Sequence, residues 1–181
     1  MKLMIAGDIH GSAVFCRKLC SLFSESGAQK LILLGDILYH GPRNPLPQGY
    51  DPQKVCALLN PLKDKILCVR GNCDSEVDGM VLDFPVSADS ALLFLNGRTF
   101  FTTHGHIYNT QNPPALSNGD ILLHGHTHVP AFTALKNGFY INPGSVSIPK
   151  ENSPNSCIIL EDDTVSHCDL YGHVYMENKL P

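Results

Sequence analysis

The feature that most constrains the fold of this chain is a repeated pattern, in which a short apolar run is followed by glycine and a side chain that can bind a metal. Residues 2–6 form the first run, and Asp8 and His10 follow it. A buried strand that leads into a polar, glycine-bounded loop is typical of an α/β protein. Because alternate side chains of an extended segment share a face, we expect Asp8 and His10 to point the same way. Such a pair alone is better explained by a helix cap beside a surface histidine, but similar clusters follow along the chain.

The order of the predicted elements indicates the fold class. Strands at residues 30–34 and 65–69 alternate with helices predicted over residues 12–26 and from the Asp-Pro pair at 51–52, and this alternation gives a parallel sheet. Later, apolar runs flank the Asn-Gly pair at 96–97, which is a strong hairpin signal. Helices are predicted in the first half of the chain and hairpins in the second. This order predicts an α/β (mixed α+β) domain in which two β-sheets pack face to face with helices outside.

Four segments outside these elements carry further predictions. Residues 39–49 are rich in Pro, Gly and Asn and are expected to form a loop. Residues 107–119 are expected to form a loop with a short helix, and the tail after Tyr171 is expected to be peripheral. The Asn-Pro-Gly-Ser sequence at 142–145 is predicted to be a structural turn beneath the site rather than a catalytic group.

Composition narrows the class of protein. The 181 residues, 43% of them apolar, suit one domain over residues 1–181 without an apolar run of membrane-spanning length. The formal net charge of −4 and the scattered basic residues give no surface for long nucleic acid or for a membrane. The seven cysteines include no Cys-x-x-Cys pair, which indicates reduced thiols. The sequence starts without a cleavable apolar segment, so we expect a cytoplasmic protein.

Five predicted strand ends carry side chains that bind metals, and these ends are expected to meet at one edge of a sheet. The seven side chains are those of Asp8, His10, Asp36, Asn72, His104, His126 and His128. Seven ligands suit two metals if one carboxylate bridges them. Oxygen and imidazole ligands without thiolate favour Mn, Fe or Zn over Mg or Ca.

The same residues carry a resemblance to a known family. Their order and spacing along nearly the whole chain resemble the calcineurin-like metallophosphoesterase superfamily. The small size, the Gly-Asn-Cys-Asp sequence at 71–74 and the turn at 142–145 resemble its small bacterial YfcE-type phosphodiesterase branch. The motifs that match are Asp8-x-His10, Gly35-Asp36, Gly71-Asn72-x-Asp74, His104-Gly105-His106 and Gly125-His126-Thr127-His128.

The resemblance implies a four-layer αββα sandwich and a division of the ligands between two divalent ions bridged by Asp36. Manganese is favoured over iron, zinc or nickel. One ion would be bound by Asp8, His10, Asp36 and His128, and the other by Asp36, Asn72, His104 and His126. Relatives also suggest self-association into a dimer or tetramer.

The predicted function is that of a metal-dependent phosphodiesterase whose substrate is a small phosphodiester. Two dications beside the two carboxylates Asp8 and Asp36 leave about two positive charges, which attract an anionic ester although the chain is acidic. Metals roughly 3.5–4 Å apart lower the pKa of bound water and hold the phosphate oxygens during in-line displacement. The predicted nucleophile is therefore a hydroxide bound to the dinuclear centre, with no covalent intermediate.

Cys73 is an informative departure from the family pattern, which has Gly-Asn-His at this point. That histidine is thought to stabilise the transition state or to protonate the leaving oxygen, whereas a thiol with a reference pKa near ~8.5 is a poor general acid. We place Asn72, Cys73 and His104 among the catalytic residues and predict that the enzyme depends on good leaving groups. The alternative is that Cys73 only packs and that His106 or His40 supplies the proton.

Substrate contacts are predicted for Arg43, Asp74 and His106. Arg43 lies in the loop that follows Asp36, and a guanidinium group matches the geometry of phosphate oxygens. The alternative for Arg43 is a side chain that is solvated on a flexible loop.

Two other functions remain open. One is a phosphomonoesterase or nucleotide pyrophosphohydrolase, against which the absent histidine and the lack of a nucleotide-specific motif both count. The other is a non-catalytic scaffold resembling the small subunit of the retromer coat, which has this fold and works through protein surfaces. The filled ligand positions favour catalysis over the scaffold.

Overall fold

Two β-sheets packed against each other form the centre of the fold in this computed structural model, which describes residues 1–180. The helices are α1 (Ala13–Ser26) and α2 (Pro52–Leu59), with 3₁₀ helices at Asn60–Lys65 and Asp78–Met80. The strands are β1 (Lys2–Ala6), β2 (Lys30–Leu33), β3 (Ile66–Cys68), β4 (Ser90–Leu95), β5 (Arg98–Thr103), β6 (Asp120–Leu123), β7 (Pro130–Leu135), β8 (Gly138–Pro143), β9 (Ser156–Glu161), β10 (Thr164–Asp169) and β11 (Val174–Lys179).

Both sheets mix parallel and antiparallel pairs. The first sheet has six strands in the order β11-β10-β9-β1-β2-β3, and the second has five in the order β4-β5-β6-β8-β7. Parallel pairing joins β1 to β2 and β2 to β3 in the first sheet, and β5 to β6 and β6 to β8 in the second. The hairpins β4–β5, β7–β8 and β9–β10 supply antiparallel neighbours.

Strand β1 shows how one apolar run serves two cores. Leu3 and Ile5 belong to the hydrophobic core between the two sheets. Met4 and Ala6 belong to the core between the first sheet and the helices. Because successive strand residues face opposite sides, a strand that is buried on both faces is continuously apolar, as this one is.

Capping residues set the ends of both helices. The Ser12 hydroxyl accepts a hydrogen bond from the Phe15 N–H at the start of α1, and Gly27 ends that helix in the left-handed conformation with φ of 72°. Asp51 caps α2, and Pro52 occupies its first turn, where no N–H partner is needed. No helix within residues 1–180 is long and apolar enough to cross a membrane.

The predicted fold class is confirmed: two mixed sheets pack together with few helices. Both α1 and α2 pack on the same core as the outer face of the first sheet. Within residues 1–180 no α-helix follows β4, so the outer face of the second sheet lacks the helical layer of a complete αββα sandwich. The Tyr108 ring, from the loop after β5, packs there on Phe101 with ring centroids 5.4 Å apart.

One local expectation is wrong, and the structure adds detail to another. Residues 107–119 contain no helix. The Asn109 side chain accepts hydrogen bonds from the N–H groups of Gln111 and Asn112, and such local bonds compete with helical ones. The tail after Tyr171 forms β11, which is paired along β10 at the edge of the first sheet.

Candidate metal centre

All seven predicted ligands lie in loops that directly follow strands. Asp8 and His10 follow β1, Asp36 follows β2 and Asn72 follows β3. His104 follows β5, and His126 and His128 follow β6. The parallel strands of the two packed sheets therefore direct these loops to one shared edge, as the sequence predicts.

The backbone of these loops is unusual. Five of the seven residues have a positive φ although none is glycine: Asp8 (56°), His10 (48°), Asp36 (55°), His126 (66°) and His128 (62°). This conformation costs energy for a residue with a side chain and is concentrated at functional sites. The expectation that Asp8 and His10 share a face through strand alternation is wrong, because β1 ends at Ala6 and left-handed turns bring the two side chains together.

The first half of the site joins Asp8, His10 and His128. The Nε2 atoms of the two histidines are 3.2 Å apart. Asp8 Oδ1 lies 3.3 Å from His128 Nε2 and 3.7 Å from His10 Nε2. The Nδ1 of His10 is 2.9 Å from the Tyr39 carbonyl oxygen, and the Nδ1 of His128 is 2.7 Å from that of Ile148. Because a carbonyl only accepts, each Nδ1 must donate, which leaves both Nε2 atoms as ligands.

The second half joins Asn72, His104 and His126. His104 Nε2 lies 3.1 Å from both Asn72 Oδ1 and His126 Nδ1. Its Nδ1 is 2.6 Å from the Leu34 carbonyl oxygen, so this ring also presents Nε2 with a free lone pair. The three atoms thus face one point from three different loops.

Asp36 connects the halves. Its Oδ2 is 3.7 Å from His10 Nε2 in the first half and 3.4 Å from His104 Nε2 in the second. Its Oδ1 accepts a hydrogen bond of 2.8 Å from the Cys73 N–H, which fixes the carboxylate. One carboxylate oxygen therefore lies within reach of both groups of ligands.

The donor set fits divalent cations. The buried Asp8 Oδ1 has no hydrogen-bond partner within residues 1–180, although carboxylate oxygens buried without a partner are costly. In both halves, imidazole lone pairs and carboxylate oxygens face one another, and these electron-rich groups repel each other. A cation bound between them would remove this repulsion. Oxygen and nitrogen ligands in this mixture suit Mn, Fe or Zn.

The pKa shifts of His104 and Asp8 also favour a cation at this site. Burial lowers the pKa of His104, but the neighbouring carboxylates Asp36 and Asp8 outweigh burial and raise that pKa to about 9. Burial raises the pKa of Asp8, but the neighbouring imidazoles of His10 and His128 outweigh burial and hold that pKa well below its ordinary range. The site therefore stabilises positive charge at its centre.

The segment at 142–145 holds loops of both halves in place. The Ser145 hydroxyl donates to the Asp8 carbonyl oxygen at 2.9 Å and accepts the Ile148 N–H at 2.9 Å. The Asn142 amide donates to the carbonyl of Gly125, which precedes His126, at 2.9 Å. These contacts agree with the prediction of a structural turn.

Replacement of Ser145 by alanine is expected to destabilise the protein by about 1–3 kcal/mol, because it leaves the Ile148 and Ser147 N–H groups without this acceptor and removes one of the two hydroxyl donors to the Asp8 carbonyl. Urea unfolding measures this difference. The matched control is Ser166→Ala, since the one hydrogen bond of the Ser166 hydroxyl among residues 1–180 is to the exposed Glu177 carboxylate. Equal midpoints for the two variants would show that the Ser145 hydrogen bonds add nothing.

Asp74 differs from its predicted role in substrate binding. Its Oδ2 accepts the N–H groups of Asp36 and Gly71 at 2.8 and 2.7 Å, and its Oδ1 accepts that of Ile37 at 2.8 Å. Both oxygens are therefore used to hold the loops that carry Asp36 and Asn72. The structure favours a supporting role over contact with substrate.

The other predicted groups lie around this centre. Cys73 Sγ is 3.3 Å from the Asn72 amide nitrogen, and burial, together with the Asp36 charge, raises the thiol pKa to about 12. The His106 ring centroid is 5.4 Å from that of His104, whereas the His40 ring packs between Tyr39 and Tyr50. His106 is thus the better placed of the two histidines for proton transfer.

A cavity of about 670 Å³ opens above the seven side chains, and Arg43 lies on its wall. Lys150 lines the same cavity, and sequence analysis missed it. A lysine in a Pro-Lys-Glu-Asn segment far along the chain carries no motif. Only the backbone hydrogen bond from its N–H to the His128 carbonyl, 3.1 Å, reveals its position.

Comparison with known proteins identifies the class. The family model described as the calcineurin-like phosphoesterase superfamily domain matches residues 1–164. The chain therefore belongs to the calcineurin-like phosphoesterase superfamily, as the sequence motifs indicate.

Particular relatives lie within that class. The chain is 50% identical over 166 residues to phosphodiesterase YfcE of Escherichia coli strain K12, covering 92% of this chain and 90% of YfcE. The solved structure of the YfcE phosphoesterase from E. coli is similar over 100% of both chains, with a TM-score of 0.97 and 46% identity. Vps29 of Entamoeba histolytica, solved with Zn²⁺, is 18% identical with a TM-score of 0.63 over 100% of both chains, a likeness of fold alone.

Proposed function

We propose that this protein is a metal-dependent phosphodiesterase that hydrolyses a small phosphodiester, with residues 1–181 as a single domain. The observation that carries the proposal is the position of Asp36 Oδ2, within 3.7 Å of His10 Nε2 and 3.4 Å of His104 Nε2. A shared carboxylate between two histidine-rich ligand groups is the arrangement that a two-ion phosphoesterase requires. The 50% identity to a phosphodiesterase supports the same reaction.

We assign metal-binding and substrate-binding roles to particular residues of the chain. Asp8, His10 and His128 would hold one divalent ion and Asn72, His104 and His126 a second, with Asp36 shared. Bound there, the ions would activate water and neutralise the phosphate. Asn72 would bind through its carbonyl oxygen, which faces His104, and its amide, which donates one hydrogen bond to Cys73 Sγ, would keep one hydrogen for a phosphate oxygen. Arg43 on the cavity wall would bind an anionic group of the substrate.

For the resident metal we propose manganese, with iron, zinc and nickel as alternatives that fit the same oxygen and imidazole ligands. The absence of a thiolate from the seven ligands argues against a softer ion. The seven free cysteines support a reducing compartment, and we propose the cytoplasm. Self-association into a dimer or tetramer stays a prediction that analytical ultracentrifugation can check.

The function is tested by metal analysis and turnover on matched aryl esters. Protein stripped with a chelator and reloaded with Mn²⁺ should regain two ions per chain and hydrolyse bis(p-nitrophenyl) phosphate faster than p-nitrophenyl phosphate. Faster hydrolysis of the monoester would favour the phosphomonoesterase. Two retained ions with no turnover of either ester would overturn the proposal in favour of a scaffold.

The scaffold is the second candidate because Vps29 proteins share this fold. A scaffold must bind a partner protein through its surface rather than through the metal centre. A partner that binds wild type and Asp36→Asn equally, together with absent turnover, would establish it. The filled ligand set favours the enzyme.

Cys73→His is expected to narrow the difference in rate between activated aryl diesters and alkyl diesters. The Cys73 thiol lies beside Asn72, which lines the cavity, and a thiol is a poor acid for an alkoxide leaving group. Introducing an imidazole should raise the alkyl rate by about tenfold or more relative to the aryl rate. Steady-state kinetics with methyl p-nitrophenyl and dimethyl phosphate analogues measures the ratio.

Cys73→Ser is the matched control, because a hydroxyl adds no better acid. An unchanged ratio in Cys73→His would mean that Cys73 only packs and that another group, such as His106, supplies the proton.

A further inference from the structure

Two cavities meet at the metal centre, and the residues that separate them are His126 and Thr127. The first, the Lys150 cavity, has a volume of about 670 Å³ and contains Arg43 and Lys150. The second, the His106 cavity, has a volume of about 500 Å³ and contains His106 and Glu151. Both are lined by His126 and Thr127, so a diester bound at the ligands can extend one substituent into each.

The charges of the two cavities are opposite. Arg43 and Lys150 have no carboxylate within 4.0 Å in the described part of the chain, so their positive charges are available in the Lys150 cavity. The His106 cavity is lined by no lysine or arginine among residues 1–180 and carries the Glu151 carboxylate instead. A molecule that spans both cavities thus meets positive charge at one end and negative charge at the other.

The turn that carries Lys150 and Glu151 is tied to the metal centre. The Lys150 N–H donates to the His128 carbonyl at 3.1 Å, and the Lys150 carbonyl accepts the Ser153 N–H at 3.1 Å and its hydroxyl at 2.6 Å. Glu151 and Asn152 both have a positive φ, 53° and 58°, which makes a tight reversal. Successive residues of one turn are therefore directed to different cavities.

We propose that the Lys150 cavity is a subsite for an anionic group, so that the preferred substrate is a phosphodiester with a second negative charge on one substituent only. The charge is a carboxylate or phosphate, which Arg43 and Lys150 bind as ion pairs. The substituent in the His106 cavity is neutral or positively charged, because Glu151 repels an anion there. This inference rests on the proposed phosphodiesterase function and specifies its substrate class.

Binding of stable analogues tests the subsite apart from turnover. Phosphinates in which methylene groups replace both ester oxygens cannot be hydrolysed at those positions. Isothermal titration calorimetry on the metal-loaded protein would compare dibenzylphosphinate with its mono- and bis(4-carboxybenzyl) counterparts. We expect the mono-carboxylate to bind about fivefold more tightly than the neutral compound, as for a solvent-exposed ion pair. The bis-carboxylate should bind no more tightly than the mono-carboxylate.

Two charge-reversal variants separate the local effect from net charge. Lys150→Glu should remove the preference for the mono-carboxylate, whereas Lys136→Glu, in the exposed turn between β7 and β8, should retain it. Glu151→Gln should improve binding of the bis-carboxylate.

The inference is overturned if Lys150→Glu keeps the preference, if Lys136→Glu loses it equally, or if no phosphinate binds. A Lys150-dependent preference without hydrolysis of any aryl diester would contradict the proposed function while leaving the anionic subsite established.

Discussion

Asp36→Asn is expected to reduce phosphodiester hydrolysis by on the order of 10³-fold, well beyond the ~10–100-fold that loss of an outer-shell partner costs. The amide lacks the negative charge that Asp36 Oδ2 presents to both His10 and His104. One substitution therefore weakens both ligand groups at once. Elemental analysis of the purified variant should find less than one ion per chain, and kcat should fall with it.

The matched control is Asp64→Asn. The Asp64 side chain makes no ion pair or side-chain hydrogen bond among residues 1–180 and carries the same change of charge. It should keep wild-type metal content and turnover. If Asp36→Asn retained two ions per chain and normal turnover, the shared-ligand arrangement would be wrong.

Gly71→Ala is expected to be the most damaging substitution of a residue that binds neither metal nor substrate. A Cβ at this position would overlap the Asp36 carboxylate and backbone nitrogen, because Gly71 and Gly35 pack directly against each other. The displaced carboxylate should lose its hydrogen bond from Cys73. We expect a loss of about 2–4 kcal/mol in unfolding free energy, typical of overpacking at a buried contact. Activity should also fall at least about 10²-fold, since small misplacements of reacting groups have large effects.

Gly79→Ala provides the comparison, because a Cβ there comes no closer than 4.0 Å to any neighbour. Denaturant unfolding and kinetics should find that variant close to wild type. If Gly71→Ala had normal stability and kinetics, the loop that carries Gly71 would be able to move without displacing the Asp36 carboxylate, and this prediction would be wrong.

The sequence alone indicated which side chains converge better than it indicated how the chain brings them together. Each proposed ligand follows an apolar run, and all but His128 neighbour a glycine, so the order of these clusters indicated seven side chains that the structure brings to one edge of the sheets. Their orientation was not predictable from strand alternation, because Asp8, His10 and Asp36 adopt left-handed conformations that non-glycine residues rarely adopt. Only tertiary contacts such as those of Ser145 make this backbone stable.

The supporting atoms were harder to predict because they are backbone groups. The carbonyl oxygens of Tyr39, Leu34 and Ile148 determine which nitrogen each histidine presents, and no side-chain pattern marks them. Asp74 looked like part of the site because it follows Asn72, yet its oxygens bind loop N–H groups. The edge strand β11 was missed because its alternation, with four of its six residues exposed and none buried, is weak.

The most direct test of the central claim is a crystal structure of the manganese-loaded protein with anomalous diffraction data. The claim is that the seven side chains hold two cations that share Asp36. We predict two anomalous peaks per chain, roughly 3.5–4 Å apart, with the Asp36 carboxylate between them. A single peak, or two peaks of which only one contacts Asp36, would contradict it.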